Sequence, residues 1–128
     1  MVYRVNLEGL KPDEDERSLR YLAKDRKNEI LRDTYFLIDP DSSPSQTLKM
    51  GLTIVYPTGR TTGHEHEDLE EVYFVLSGRG KMVVGDEAFP IQEGDAFHVP
   101  PGAFHVTYNT GIQPLKLLWV TGKVRDTR

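Results

Sequence analysis

The chain contains no cysteine. Thiolates are thereby excluded as metal ligands and as nucleophiles, and the absence fits a reducing cytoplasmic setting. No apolar run approaches the roughly 20 residues that cross a bilayer. The first residues, MVYRVNL, lack the apolar stretch of a signal peptide. Basic charge is in deficit: 16 Lys and Arg stand against 20 Asp and Glu, for a formal net charge of −4. Such a balance creates no field to draw nucleic acid or an anionic membrane. The expectation is a cytoplasmic protein that binds neither. Its 128 residues, 38% hydrophobic and 28% charged, suffice for one domain with one core.

Residues 1–20 are polar and acidic around Lys11-Pro12-Asp13-Glu14-Asp15-Glu16 and read as an arm or solvated turn. Arg17 to Lys27 is compatible with either a helical or a strand face; a strand or arm is expected because the rest of the chain reads as β. Leu31 to Ile38 reads as a strand, and the segment from Asp39 to Ser45 as a loop. From Thr47 onward short segments of strand period alternate with Gly/Pro turns: 48–56, 71–76, 81–84, 87–89, 96–99, 105–108 and 115–120. Gly85-Asp86 is a two-residue hairpin turn by composition. Many short strands joined in this way predict an all-β sandwich or barrel. The expected division is an arm with the first strand over 1–46, a barrel core over 47–120 and a tail over 121–128.

Three of the four histidines fall in two compact patterns. One is His64-Glu65-His66, followed by Glu71 and Gly78; the other runs Gly94, Pro100, Gly102, His105, Asn109. Residues two apart in a strand share a face, so His64 and His66 can reach one point in space. Imidazole and carboxylate placed in a barrel interior need a partner, and a divalent ion supplies one. Pro100 and Gly102 set a corner before His105, and Asn109 can bond its own backbone at a strand end. His98, between Phe97 and Val99, reads as a surface or supporting residue. Glu65, Glu67, Asp68 and Glu70 read as a solvated acidic loop. Arg32, Lys49, Arg60 and Arg79 could each meet an anionic substrate, and Arg60 is singled out because its loop leads directly to His64. Tyr56, Tyr73, Phe97, Thr107 and Trp119 are candidates for a cavity wall. Tyr73 shares strand parity with Glu71, and Thr107 with His105, so both are expected to face inward.

On these residues the sequence resembles the cupin superfamily. The family's second motif, G-x5-P-x-G-x2-H-x3-N, is matched at every fixed position by Gly94, Pro100, Gly102, His105 and Asn109. Its first, G-x5-H-x-H-x(3,4)-E-x6-G, is matched by His64, His66, Glu71 and Gly78, and Glu71 rather than Glu70 keeps the spacing to Gly78. The opening glycine departs: Thr58 stands in its place, with Gly59 one position late. The resemblance implies a double-stranded β-helix, or jelly-roll barrel, over about residues 47–120. It implies one divalent transition metal (Mn, Fe, Ni, Co or Zn) on His64, His66, Glu71 and His105, a small-molecule substrate and a homodimer.

Three imidazoles and one carboxylate leave two positions of an octahedral ion for a bidentate oxygen ligand, with the ion as Lewis acid. The favoured expectation is an isomerase or epimerase of a sugar or sugar phosphate working through a metal-held enediolate. Tyr73, Arg60 and Thr107 are the candidates for substrate contact or proton transfer. The stretch Thr61 to His66 with Glu71-Val72-Tyr73 is similar to the cupin-type phosphoglucose isomerases. The alternatives are an iron- or manganese-dependent dioxygenase or decarboxylase, and a non-catalytic module that binds a small ligand.

Overall fold

Strand-period alternation and regularly spaced turns resolve into eight strands in a computed structural model, which describes residues 2–4, 10, 15–17, 25 and 29–124. The strands are β1 (Arg32–Ile38), β2 (Lys49–Val55), β3 (Leu69–Ser77), β4 (Arg79–Val84), β5 (Glu87–Gln92), β6 (Ala96–Val99), β7 (His105–Asn109) and β8 (Leu115–Lys123). The expected arm or strand before residue 29 falls largely outside the described residues. β5 runs on through Pro90, where the sequence suggests a stop. It lies at the edge of its sheet, where a missing N–H is tolerated. β8 likewise continues past Val120, because Thr121 still pairs with Lys49 and Glu71, and Lys123 with Leu69.

All pairings between strands are antiparallel. One sheet has five strands in the order β1-β2-β8-β3-β6 and the other three in the order β5-β4-β7. Register aligns the rows of the larger sheet. Val55 sits opposite Leu115, Thr53 opposite Leu117, Gly51 opposite Trp119, and Lys49 opposite Thr121. On the other side of β8, Leu117 meets Val75, Trp119 meets Tyr73 and Thr121 meets Glu71. Side chains of alternate residues share a face, so these rows lie on the inner face and change character along the strands. At one end Val55, Val75, Leu115 and Leu117 join Met82, Ile91 and Val99 as the buried core. At the other end the same face presents Lys49, Thr121, Glu71 and Trp119, and the interior opens as a cavity.

The outer face of this sheet carries the other parity and is the unusual one. Tyr35, Val72, Phe74 and Leu76 are each more than 40% exposed there. The register places Tyr35 and Phe74 in one apolar row, Tyr35–Leu52–Leu118–Phe74, and Val72 in a second, Met50–Val120–Val72.

The loop after β2 explains the one departure from the family pattern. Thr58 has a φ of +72°, a left-handed conformation that a β-branched residue resists, and its Oγ1 is buried without a hydrogen-bond partner. Gly59 meets a different demand. A Cβ there would lie 2.5 Å from the Leu31 Cβ and 3.0 Å from the Leu31 carbonyl oxygen, so the chain passes too close for a side chain. A conformation that favours glycine is thus held at position 58 by a threonine. Thr58→Gly is expected to stabilise the protein by about 1 kcal/mol, because relief of left-handed strain and of the orphaned hydroxyl outweighs the added freedom of the unfolded chain. Urea unfolding of the two proteins measures it, and a lower midpoint for the glycine variant would contradict it.

Candidate metal centre

The segment from Gly59 to His64 runs along β7 and is pinned to it by backbone hydrogen bonds. Asn109 N donates to Gly59 O (3.0 Å), Thr61 N to Thr107 O (2.9 Å), and His64 and His105 exchange N–H···O bonds of 3.2 and 3.0 Å. His64 and His66 therefore do not lie in a strand, as the sequence pattern suggests. They occupy an extended stretch before β3 that meets β7 at His64 through the isolated His64–His105 bridge. That bridge does the work expected of a ladder, setting the two rings 4.2 Å apart. The corner of the second motif holds His66 in turn, since Gly102 N donates to the His66 carbonyl at 2.8 Å.

Glu71 comes from β3, on the face shared with Tyr73, and is 5% exposed; His105 is 2% exposed. The ligand atoms of His64, His66 and Glu71 lie within 4.8 Å of one another, a group able to hold a metal ion. His105 joins them through its Nε2, 2.9 Å from Glu71 Oε2. This contact lacks the alignment of a hydrogen bond, and Nε2 is otherwise a buried nitrogen without a partner.

Both ring orientations are imposed from behind. His64 Nδ1 lies 3.0 Å from Thr62 O, and His105 Nδ1 lies 3.0 Å from Ala103 O. A carbonyl only accepts, so Nδ1 carries the proton and Nε2 of the neutral ring holds the lone pair. That is the tautomer a metal requires. The donor set, the orphaned Nε2 and the 2.9 Å spacing to the carboxylate all fit one divalent ion with bonds of roughly 2.1 Å.

The electrostatics of the cluster follow from its crowding. Burial alone would raise Glu71, but its contacts with His105 and with the Tyr73 hydroxyl, which donates at 2.8 Å, leave its carboxyl below the usual range. Burial alone would lower His105, but Glu71 and the Ala103 carbonyl leave it raised. His64 is lowered, chiefly by burial. Burial and the adjacent Glu71 push Tyr73 well above the ordinary phenol value, so it remains a protonated donor to the carboxylate.

The cluster forms part of the wall of a cavity of about 270 Å³. Of the residues expected there, Tyr73, Thr107 and Trp119 line it. Phe97 stands behind the wall, stacked on Tyr73 at 4.9 Å. Tyr56 is turned to the outside, where its hydroxyl donates to Asp33 at 2.6 Å. Thr107 is spoken for, its hydroxyl donating to Met82 Sδ at 3.0 Å. His98 is exposed and pairs with Glu70 at 2.9 Å, outside the cluster.

Arg60 does not line the cavity; its backbone bridges to Ile30 and Tyr108, while Arg32 and Lys49 stand in the wall. The inner face of β1 delivers Arg32, Thr34 and Phe36 to the wall through the sheet order. Thr53, Thr61, Thr62 and Thr121 also line the cavity. Their parity with Lys49 in β2 and with Trp119 in β8 would have marked Thr53 and Thr121. Trp119 itself lies over Gly51, where a Cβ would come within 2.1 Å of the indole, and its Nε1 donates to Thr53 at 2.9 Å.

Comparison with known proteins accords with this geometry. Residues 51–121 match the family model of the cupin domain. The chain belongs to the cupin family. It is 34% identical to an uncharacterized protein of Methanocaldococcus jannaschii over 77% of this chain and 74% of that one. It is 32% identical to the glucose-6-phosphate isomerase of Pyrococcus abyssi, over 81% of this chain but only 60% of the isomerase. Among solved structures it resembles a Thermus thermophilus protein (28% identity, 84% of this chain, 95% of that chain, TM-score 0.65). It also resembles the oxalate decarboxylase of Lactobacillus farciminis (28% identity, 71% of this chain, 28% of that one, TM-score 0.66).

Proposed function

We propose that this cupin is a metal-dependent isomerase or epimerase of a small sugar or sugar phosphate, with His64, His66, Glu71 and His105 as the ligands of one divalent transition ion. The observation that carries the reading is the convergence of four donors at the wall of one cavity, two with their tautomers set by carbonyls of Thr62 and Ala103. The similarity to glucose-6-phosphate isomerases supports the substrate class. When bound, such an ion supplies Lewis acidity that lowers the cost of negative charge on a substrate oxygen.

The chain's own residues do the rest. Tyr73 holds Glu71 through its donated hydrogen bond and keeps its own proton, so it serves as a positioning residue. Trp119, Phe36 and Leu69 shield part of the cavity from water, and the hydroxyls of Thr61, Thr62 and Thr121 offer hydrogen bonds to substrate oxygens. Outside the four ligands, Tyr73, Arg32 and Lys49 are the titratable groups among the described wall residues. The protein is read as cytoplasmic; no helix among the described residues is long and apolar enough to cross a membrane. The apolar outer rows of the five-stranded sheet support pairing with a second copy.

Protein loaded with Mn, Fe, Ni, Co or Zn in turn is expected to interconvert an aldose phosphate and its ketose in deuterated water, with deuterium incorporated at C2 of the aldose or C1 of the ketose. Absence of both turnover and exchange with every metal would sink this reading. The likeness to oxalate decarboxylase favours a second one, an oxygen-dependent reaction on a small carboxylate. Substrate-dependent oxygen uptake by the Fe(II) or Mn(II) form would select it.

A further inference from the structure

The cavity has two poles, and the metal centre is only one of them. On the inner face of β1, Arg32 enters the wall with Nη2 donating to Thr62 Oγ1 at 3.3 Å and Nη1 to Thr34 Oγ1 at 3.5 Å. No carboxylate among the described residues pairs with it. Lys49, the other cation of the wall, is differently placed: Asp39 lies 3.6 Å from its Nζ, and the ammonium sits 4.4 Å from the centre of the Phe36 ring. Its charge is answered within the protein. That of Arg32 meets neutral hydroxyls only, and most of the five N–H donors of the guanidinium remain uncommitted.

Thr62 connects the poles. Its hydroxyl accepts from Arg32, and its carbonyl accepts from His64 Nδ1 at 3.0 Å. A single residue therefore separates the guanidinium from a proposed metal ligand. The rest of the lining is threonine, aromatic and aliphatic, and Glu71 is its only carboxylate among the described residues. A planar fork of this kind takes a carboxylate or phosphate in paired hydrogen bonds.

We infer that Arg32 is the specificity-determining residue of this cavity, and that it selects substrates carrying a carboxylate or phosphate at the end away from the oxygens that meet the metal. The inference rests on the metal-centre reading above and narrows it. A neutral sugar fills one pole, and an acidic metabolite fills both.

Trp119 is the only tryptophan and lines the cavity, so its fluorescence reports binding without any assay of turnover. The Mn(II) protein is titrated with two pairs of probes, lactate against malate and glycerate against 3-phosphoglycerate. Each pair offers the same hydroxy-acid end without and with a second anion. Wild type is expected to bind malate, 3-phosphoglycerate or both at least about tenfold more tightly than the matched probe. Arg32→Gln is expected to bring that ratio below about threefold while leaving the lactate and Mn(II) affinities unchanged. Arg32→Lys is expected to recover part of it, since charge returns without the fork. Which pair shows the larger ratio tells carboxylate from phosphate. If wild type shows no preference, or Arg32→Gln retains it, this inference fails and the metal centre stands. If Mn(II) itself leaves Trp119 unchanged and equilibrium dialysis finds no bound ion, both fail together.

Discussion

His105→Ala is expected to weaken binding of a divalent ion at least about 100-fold. Loss of a residue that merely orients a ligand already costs about 10–100-fold in affinity. His105 is held more firmly than that: its ring is 2% exposed, its Nδ1 is tied to Ala103 O, and its Nε2 has no partner besides Glu71. Isothermal titration with Mn(II) or Zn(II) measures the change, and an affinity within threefold of wild type would remove His105 from the ligand set.

The same experiment carries a pH dependence whose sign is fixed by the pair. In the metal-free protein the His105 value is raised, so its stabilising contribution is full below the unfolded imidazole value and lost as pH rises through the folded one. The Glu71 value is lowered, so its contribution is present above the unfolded carboxylate value and lost as pH falls through the folded one. Between those limits a proton on His105 holds the pair together and competes with an ion for Nε2. Metal affinity is therefore expected to rise with pH through neutrality, with proton release on binding that diminishes in His105→Ala. Titration in buffers of different ionisation enthalpy reads the proton count.

Asn109→Ala is expected to cost about 2–4 kcal/mol, the largest effect on stability of any polar residue in the motifs. One side chain makes three bonds at a buried junction: Nδ2 donates to Val55 O and to Gln113 O, each at 2.8 Å, and Oδ1 accepts from Gly111 N at 2.8 Å. The first reaches the end of β2, the others close the turn between β7 and β8. Truncation leaves the buried Val55 carbonyl and the buried Gly111 N–H without partners, and frees the Gln113 carbonyl at the edge of the junction. Asn109→Asp is nearly isosteric and keeps the acceptor for Gly111, yet it sets carboxylate oxygen against two carbonyl oxygens. It is expected to be no better tolerated than alanine. Urea unfolding with an unchanged m-value isolates the effect; a loss under 1 kcal/mol for both variants would refute it.

How far each of these residues could be read in advance depends on the range of the forces that place it. Asn109 was legible as a strand-end residue that bonds nearby backbone, and the turn to Gly111 and Gln113 is local. Its reach to Val55, across 54 positions of sequence, was not. Thr58 was visible as a mismatch to a motif, but only the folded loop shows it taking the left-handed conformation while the Leu31 backbone crowds Gly59.

Strand parity and turn chemistry act over two to six residues, so the β class, most strand positions and the four grouped donors are legible in the chain before it folds. The lack of cysteine is legible there too. Folding adds three things: the Lys49–Val55 strand turns its less apolar parity inward, His64 meets His105 through an isolated bridge, and Arg32 rather than Arg60 stands in the cavity wall. All three have one cause. A side chain's face is set by parity within its own strand, but what that face meets is set by sheet order. The order β1-β2-β8-β3-β6 brings together residues that no local pattern connects.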